Sequence, residues 1–328
     1  MAKSPDVSVI IPTYNRKWFL RETLDSLSGQ TFPASNFEVI VVDDGSTESY
    51  QDVISRGFPF KVQYIYQVNK GDAEARNVGA LKSAADLLVF LDDDILVSPG
   101  YLEAIVEGQH SGRKRIIVGT AYLWTREDNP LQMDRSLDLH QAESSGLSPV
   151  DFTEICSNNM SIRKGDYASV GFMDSLDFPG SSMWCDVDFS YRAYLKGFEF
   201  YRANKAVCWH RDYVAMNLQN QNRRWREAAT RAVALFQKHP GLIRHLPMFA
   251  DKTPVEWGKD PPAVVLRKLT RRIASSRPAL RMLEFIERTL SGGKKGKAIL
   301  PHLHRWIVGG YIYQGFRDGL RMRLSSGS

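Results

Sequence analysis

The 328-residue chain has few cysteines and no long apolar run. Its three cysteines, Cys156, Cys185 and Cys208, are widely spaced and form no CxxC pair. This pattern argues against a disulfide framework and favours a reducing compartment. No stretch reaches the roughly 18 apolar residues that a membrane-spanning helix needs, and the N-terminus lacks the apolar core of a signal peptide. The sequence therefore predicts a cytoplasmic protein that is not integral to a membrane.

Two common nucleotide-binding signatures are also missing. GxGxxG does not follow the first apolar strand, and GxxxxGK[ST] occurs nowhere in the chain. Their absence disfavours a dinucleotide-dependent dehydrogenase and a P-loop NTPase. If this chain binds a nucleotide, carboxylates must hold its base or ribose, while a metal and basic side chains hold its phosphates.

Positive charge is concentrated near the C-terminus. From Asp251 onward there are 16 Lys or Arg and 6 Asp or Glu, whereas the preceding part has 27 basic and 31 acidic residues. This imbalance predicts two modules, for which we take the boundaries 1–215 and 216–328. Apolar residues at helical spacing in the second module predict two basic amphipathic helices separated by Pro278, one with Leu266, Leu269 and Ile273 and one with Leu283, Ile286 and Leu290.

The basic module has two alternative interpretations. It is either a helical appendage with solvated charges, or a basic face that rests on anionic lipid headgroups at the inner face of the cell membrane. Nucleic-acid binding is not expected, since no recognised motif accompanies the charge.

Short apolar strands alternate with helical patterns in the first hundred residues. The predicted strands are Val7–Ile11, Val39–Val42, Val62–Tyr66 and Leu87–Leu91. A helix is predicted through Leu20, Leu24 and Leu27, with Asn15 as its N-cap, and another over Ala73–Ala84. Such alternation is typical of an α/β fold with a mainly parallel sheet and helices on both faces.

Polar residues follow three of these strands. The strand ends carry Pro12-Thr13, Asp43-Asp44 and Asp92-Asp93-Asp94. Ligands of parallel α/β sheets bind beyond the carboxyl ends of the strands, so we expect these clusters to meet in one site.

The run Leu87–Leu91 leads directly into three carboxylates, which repel one another unless positive charge lies nearby. Asp92 and Asp94, at alternate positions, supply the hard oxygen ligands that Mg²⁺ or Mn²⁺ takes. The alternative is an acidic cluster that caps a helix opening near Ser98-Pro99.

Four blocks of the sequence carry a family resemblance. They are Val9–Arg16 (VIIPTYNR), Val41–Thr47 (VVDDGST), Ala75–Gly79 (ARNVG) and Phe90–Asp94 (FLDDD). In this order and spacing they resemble the motifs of family 2 glycosyltransferases with the GT-A fold. The resemblance implies an inverting, metal-dependent transferase that uses a nucleotide-diphosphate sugar, commonly a UDP-sugar. It also divides the first module into a nucleotide-sugar part, about residues 1–100, and an acceptor part with the catalytic base, about residues 101–215.

The resemblance implies site residues in the first hundred positions. Asp43 or Asp44 holds the base, with Asp44 favoured, and Asp92 and Asp94 form the DxD pair with Asp94 as the more direct metal ligand. The full set implied for the donor is Pro12, Thr13, Tyr14, Arg16, Asp43, Asp44, Arg76, Asp92 and Asp93.

A second centre is implied around residues 184–192. The family places a Glu-Asp motif here whose Asp is the catalytic base, which corresponds to Asp186, while Cys185 replaces the Glu. A positioned carboxylate suits general-base catalysis. The alternative for Asp186 is a helix N-cap, with a second acid favoured by the helix dipole, and Asp188 is interpreted as a structural residue or an acceptor contact. Residues assigned to the acceptor or phosphate side are Asn158, Asn159, Trp184 and Asp188.

His210 completes the implied metal site. A lone histidine is more often structural, but in this family a histidine after the Glu-Asp helix often joins the carboxylates, and a neutral imidazole can ligate Mn²⁺. The sequence thus predicts transfer of a sugar from a nucleotide donor to a glycan, lipid-linked or small-molecule hydroxyl. The rival interpretations are a nucleotidyltransferase and a non-catalytic nucleotide-sugar-binding protein.

Overall fold

The computed structural model describes residues 4–110, 114–124, 146–175, 183–211, 218–291 and 299–326. The chain divides into two compact units, Met1–Tyr213 and Val214–Ser328. Among the described residues, no helix combines the length and apolar character needed to cross a membrane.

The N-terminal unit is built on a mixed sheet. Its described strands are β1 (Val7–Thr13), β2 (Phe37–Asp43), β3 (Lys61–Tyr66), β4 (Leu87–Leu91), β5 (Ile95–Val97), β6 (Arg115–Leu123), β7 (Leu147–Pro149), β8 (Asn159–Arg163) and β9 (Glu199–His210). They are ordered β3-β2-β1-β4-β8-β6-β9-β5, with β7 also paired to β9. The four predicted strands are confirmed as β1 to β4.

The first four strands in this order are parallel, as the alternating pattern predicts. β1 lies between β2 and β4, with Val9 opposite both Val39 and Val89. β8 then runs antiparallel to β4 and β6, whereas β6 and β9 are parallel. The parallel half brings the C-terminal ends of β1, β2 and β4 to one edge.

Helices cover both faces of this sheet. Those of the N-terminal unit are α1 (Lys17–Ser28), α2 (Gln51–Ile54), α3 (Asp72–Lys82), α4 (Tyr101–Gln109), α5 (Lys164–Val170) and α6 (Cys185–Leu195). Val9 and Val39 belong to a core with Leu20 and Leu24 of α1, whereas Ile40 packs with Ala75 of α3. Neighbouring strand residues point to opposite faces, so the two helices lie on opposite sides of the sheet.

The predicted N-cap of α1 is wrong. Arg16 occupies the cap position, and no side chain caps the helix. Asn15 instead adopts a left-handed backbone with φ 52°. Its Oδ1 accepts a hydrogen bond from the Thr47 amide at 2.9 Å, and its own amide donates to Ser46 Oγ at 2.8 Å. Asn15 therefore ties the loop after β1 to the loop after β2.

The C-terminal unit is helical. Its described helices are α7 (Leu218–Lys238), α8 (Pro262–Ala274), α9 (Arg277–Ser291) and α10 (Leu300–Ser326), with short 3₁₀ turns at Pro240–His245 and Pro247–Phe249. The sequence predicts that Pro278 separates α8 from α9. Pro278 instead lies in the first turn of α9, where its missing amide proton costs no helical hydrogen bond. The basic stretch Ser291–Lys297 reads from the sequence as a flexible linker, and its residues 292–297 lie outside the described part of the chain.

Close contact between α7 and α10 forms the centre of this unit. A Cβ atom on Gly315 would lie 2.0 Å from the carbonyl oxygen of Arg226, so the backbones meet where there is no side chain. Phe236, Phe249 and Phe316 pack around this contact with ring centroids 5.0–6.0 Å apart. The unit thus has an aromatic core of its own.

Candidate active site

A cavity of about 320 Å³ opens at the edge where β1, β2 and β4 end. Of the residues predicted to bind the donor, all except Asp43 line it. The lining consists of Pro12, Thr13, Tyr14, Arg16, Asp44, Asn69, Gly71, Asp72, Arg76, Asp92 and Asp93. The parallel strands therefore bring together residues from Pro12 to Asp93, which are far apart in the sequence.

The two aspartates that end β2 have different neighbours. Asp43 is buried, and its carboxylate accepts hydrogen bonds from the Ser46 amide at 2.8 Å and from the Tyr64 hydroxyl at 2.5 Å. Asp44 lines the cavity and accepts from the amides of Lys70 and Gly71, each at 2.8 Å. Asp44 thus shapes the cavity wall, in keeping with its being favoured over Asp43.

Arg76 is the most buried cation at the cavity, with 2% of its side chain exposed. It donates to Asp72, one helical turn earlier, at 2.6 Å and forms a second ion pair with Asp92. Burial opposes the charged form, but Asp92 and then Asp72 raise the pKa of Arg76 well above its usual value. Burial also raises the pKa of Asp92, although Arg76 counteracts it.

Asp93 joins the end of β4 to the loop after β1. Its Oδ2 accepts from Thr13 Oγ1 at 2.8 Å, and its Oδ1 lies 3.1 Å from Arg16 Nη1. Its main-chain carbonyl accepts from Thr23 of α1 at 2.7 Å. Burial raises the pKa of Asp93 to about 7, against the opposing effect of Arg16.

Asp94 and His210 meet through strand pairing. β5 follows Asp94 directly and runs antiparallel to β9, with Ile95 opposite His210. His210 Nε2 consequently lies 3.5 Å from Asp94 Oδ1, while Arg16 Nη2 lies 2.5 Å from Asp94 Oδ2. Burial would raise the pKa of Asp94, but His210 and Arg16 hold it below its usual value.

The donor set suits a divalent cation only in part. Asp94 Oδ1 is buried without a hydrogen-bond partner, and an unsatisfied carboxylate oxygen beside an imidazole fits a metal ligand. Asp92, however, is turned toward Arg76. In the parts of the chain that the structure describes, no three His, Cys, Asp or Glu side chains are arranged to hold a metal ion.

Asp186 lies in the first turn of α6. Trp184, the residue before this helix, has φ 73°, a left-handed conformation that sharply redirects the chain into α6. The Asp186 carboxylate accepts from the Val187 amide at 2.8 Å. Burial raises the pKa of this carboxyl, against the opposing effects of the Val187 amide and the Cys156 thiol, so its carboxylate is a stronger proton acceptor than that of a free aspartate. Gly197, two residues after the end of α6, has φ 74°.

Asn158 and Asn159 lie at a second cavity, of about 260 Å³, beside β6 and β8. The Asn158 carbonyl accepts from the Asp92 amide at 3.1 Å, so this loop adjoins the DxD segment. Asn158 Oδ1 is buried and has no hydrogen-bond partner. Asn159 Oδ1 accepts from the Gly119 amide at 2.5 Å, which makes Asn159 a structural contact of the sheet. Cys156, whose thiol counteracts the raised pKa of Asp186, also lines this cavity.

Asp188 belongs to the interior of α6. It is fully buried, lines neither of these cavities and accepts from Arg192 Nε at 2.8 Å. Arg192 in turn donates to the carbonyls of Val170 and Phe172. This arrangement favours the structural alternative for Asp188.

Sequence reasoning missed Asn69, Gly71, Asp72 and Cys156. Asn69–Asp72 reads as an ordinary turn, yet it provides a cavity wall and the second carboxylate of Arg76. The i, i+4 spacing of Asp72 and Arg76 was a usable signal for this ion pair. Nothing in the sequence around Cys156 indicates that this residue lines a cavity.

The sequence profile of Glycosyl transferase family 2 matches residues 8–168, the stretch that contributes every lining residue of the first cavity. This stretch belongs to that family. Validoxylamine A glucosyltransferase of Streptomyces hygroscopicus subsp. jinggangensis is 40% identical over 123 residues, which are 36% of this chain and 29% of that protein. The chain thus spans about a third of the length of such curated relatives.

Solved structures share the fold. A mannosyltransferase from Pyrobaculum calidifontis, in complex with GDP-Man and Mn²⁺, has a TM-score of 0.58 at 17% identity. The superposition covers 95% of this chain and 87% of the mannosyltransferase chain. Residues 1–349 of TarS from S. aureus, in complex with UDP-GlcNAc, have a TM-score of 0.52 at 17% identity. The superposition covers 96% of this chain and 92% of the TarS chain. These similarities establish the predicted GT-A architecture.

Proposed function

We propose that this protein is a metal-dependent, inverting glycosyltransferase that moves a sugar from a nucleotide-diphosphate sugar to a hydroxyl acceptor. The observation that carries the proposal is the position of Asp186. Asp186 lies in the first turn of α6, where burial raises its pKa and where the Cys156 thiol, Arg76 and Asp72 also act on that pKa. Arg76 and Asp72 line the first cavity and Cys156 lines the second, so a base near residues of both cavities suits transfer from a donor in one to an acceptor in the other.

The charge balance of the first cavity supports an anionic donor bound with a cation. Among the described residues, Asp72, Asp92, Asp93 and Asp94 form ion pairs with two permanent cations, Arg16 and Arg76. A diphosphate would add negative charge to a site already in negative surplus, which is unfavourable in a poorly hydrated place. A divalent cation with the donor would offset that surplus.

The residues of this chain divide the chemistry among them. Asp186 accepts the proton of the acceptor hydroxyl while the acceptor oxygen forms a bond to the anomeric carbon. The bond from that carbon to the diphosphate oxygen breaks, and the nucleoside diphosphate leaves with the electron pair. Attack from the face opposite the leaving group inverts the anomeric configuration in one displacement. Arg16 and Arg76 orient the donor by charge.

Asp94 and His210, with Asp92, are the residues that would hold the metal ion. Bound there, Mn²⁺ or Mg²⁺ would act as a Lewis acid that stabilises the charge developing on the leaving diphosphate. His210→Ala should raise the metal concentration needed for half-maximal donor hydrolysis, and an unchanged metal titration would reject its role. His110→Ala, on an exposed helix end, is the matched control.

A donor screen tests the proposal first. UDP-, GDP-, dTDP- and CDP-sugars are incubated with Mn²⁺ or Mg²⁺, and release of the nucleoside diphosphate is followed with and without EDTA. We expect metal-dependent hydrolysis of one donor, with a UDP-sugar favoured. If no nucleotide sugar raises the melting temperature of the protein in a thermal-shift assay, that result would contradict the proposal.

Asp186→Asn separates an enzyme from a binding protein. The amide keeps the shape of the side chain but cannot accept the acceptor proton, so turnover should fall by about 10²–10⁴-fold while donor affinity stays within about twofold. Asp52→Asn, at an exposed position, controls for a general effect of charge. Equal turnover in the Asp186→Asn variant and the parent would remove Asp186 from the mechanism.

We also propose that the acceptor is a glycan or lipid-linked hydroxyl of the cell envelope and that the enzyme works at the inner face of the cell membrane. The support is the basic C-terminal unit, which could rest on anionic headgroups. This location would bring the transferase to a membrane-borne acceptor.

A further inference from the structure

The C-terminal unit has a cavity of its own, with a volume of about 380 Å³. It lies among the segment 252–257, helix α8 and the second half of α10. Its lining includes five basic side chains and no Asp or Glu, namely Lys252, Lys268, Arg272, Arg317 and Arg321. The predicted charge of this module is therefore gathered in a concave site and not spread over the surface alone.

The five basic groups differ in how they are compensated. Lys252 and Lys268 are buried and form ion pairs with Asp251 and Asp260, respectively. The guanidinium groups of Arg272, Arg317 and Arg321 are exposed, and none has a carboxylate partner among the residues that the structure describes. Three uncompensated cations around one opening, two of them one turn apart on α10, suit an anion with several oxygen atoms.

An exposed apolar stripe adjoins this opening. On α8, Leu266 and Ile273 are 64% and 72% exposed, and Leu269, between them, lines the cavity. These residues lie on one side of the helix, roughly opposite the buried Lys268. Trp257, 76% exposed, lines the same cavity. Exposed apolar side chains, a tryptophan and arginines are the composition of surfaces that lie in a membrane interface.

We propose that this cavity binds the phosphate group of an anionic membrane lipid while Leu266, Ile273 and Trp257 enter the lipid surface. The arginines provide the charge complement of the headgroup, and the apolar stripe provides contacts that a soluble phosphate would not need. The inference rests on the membrane contact proposed above and not on the transferase chemistry, since every residue in it belongs to the C-terminal unit.

Vesicle flotation tests the site. The full-length protein is mixed with vesicles of phosphatidylcholine alone or with phosphatidylglycerol, and binding is measured at low and high salt. We expect binding to the anionic vesicles only. Each arginine near an anionic surface contributes about fivefold to partitioning, so Arg317→Gln with Arg321→Gln should weaken binding about 30-fold. The matched control is Arg244→Gln with Arg281→Gln, two exposed arginines outside the cavity lining that remove the same charge.

The outcomes separate the site from its rivals. Loss of vesicle binding in the cavity variant alone supports the proposal. Because this readout does not depend on the transferase chemistry, it holds whatever the result of the donor screen. Equal loss in both double variants would mean diffuse attraction and overturn the cavity. Vesicle binding that survives Leu266→Ser with Ile273→Ser would overturn the role of the stripe. Thermal stabilisation by glycerol phosphate without vesicle binding would assign the cavity to a soluble phosphate. Self-association of the parent that the double serine variant abolishes would assign the apolar stripe to a second copy of the chain. Either result would overturn the proposal.

Discussion

Replacement of Arg76 by methionine tests how the acidic edge of the sheet is stabilised. Arg76 is the shared partner of Asp72 and Asp92, and its guanidinium is almost fully buried. Methionine fills a similar space but removes the charge, so Asp92 would be left beside Asp93 and Asp94 without its cation. We expect the N-terminal unit to lose stability and donor affinity together.

The structure sets the magnitude. Removal of one partner of a buried ion pair costs about 3–5 kcal/mol, because the other charge is left uncompensated. The Asp92 side chain is 28% exposed and recovers some hydration, so we take the lower end of that range. A loss of about 3 kcal/mol lowers the Tm of a unit of this size by roughly 6–12 °C.

The assay is thermal and urea unfolding of the parent, Arg76→Met, Asp92→Asn and the double variant. Because Asp92 loses its charge in the double variant, that protein should recover part of the stability that Arg76→Met loses. Arg56→Met is the matched control, since Arg56 pairs with Asp25 on the surface and should lose less than about 1 kcal/mol. An Arg76→Met variant no less stable than Arg56→Met, or strictly additive effects in the cycle, would refute the reasoning.

Three further predictions follow from particular contacts. Desolvation raises the pKa of Asp186. The apparent pKa on the acidic limb of a pH profile of kcat/KM should therefore lie above the value of about 3.9 expected for a free aspartate, and an apparent pKa at or below that value would contradict the assignment. Gly79→Ala should cost about 1–3 kcal/mol in urea unfolding, because a Cβ atom would lie 2.4 Å from Ile10 Cγ2, whereas Gly165→Ala meets nothing within 4 Å and should be neutral. Burial opposes ionisation of Asp251, but Lys252 and Arg271 hold the pKa of Asp251 below its usual value. The ionised carboxylate therefore contributes fully to stability above about pH 4, and this contribution is lost at lower pH. Asp251→Asn should flatten the dependence of the unfolding free energy on pH below about pH 4, and an unchanged dependence would disprove the role of Asp251.

The parallel half of the fold was predictable because its signals are local. Strands β1, β2 and β4 are short apolar runs that each end at a polar cluster, so the edge where the clusters meet follows from the topology alone. Asn15 shows the limit of this reasoning. Its type and position suit a helix cap, but the nearby Ser46 and Thr47 offer alternative hydrogen bonds that only the folded loops bring within reach.

The distant part of the site depends on strand register, which no local pattern specifies. His210 reaches Asp94 because β5 and β9 pair antiparallel, and the two residues are far apart in sequence. Arg211, the next residue, is buried and pairs with Glu22 of α1 while its guanidinium lies 4.7 Å from the Trp18 ring centroid. No local pattern in the sequence marks Arg211 as a buried residue.

Cys185, the one departure from the family motif, has a physical explanation in the neighbourhood of Arg76. Cys185 is buried, and the charges of Asp186, Asp72 and Arg76 all influence its thiol. Arg76 already has two carboxylate partners, Asp72 and Asp92. A glutamate at this buried position would add a further carboxyl near Asp72 and Asp186, and a buried acid without a full partner is costly. Because a neutral thiol avoids that cost while Asp186 keeps its place in the first turn of α6, the substitution is compatible with a working base and does not by itself indicate a decayed site.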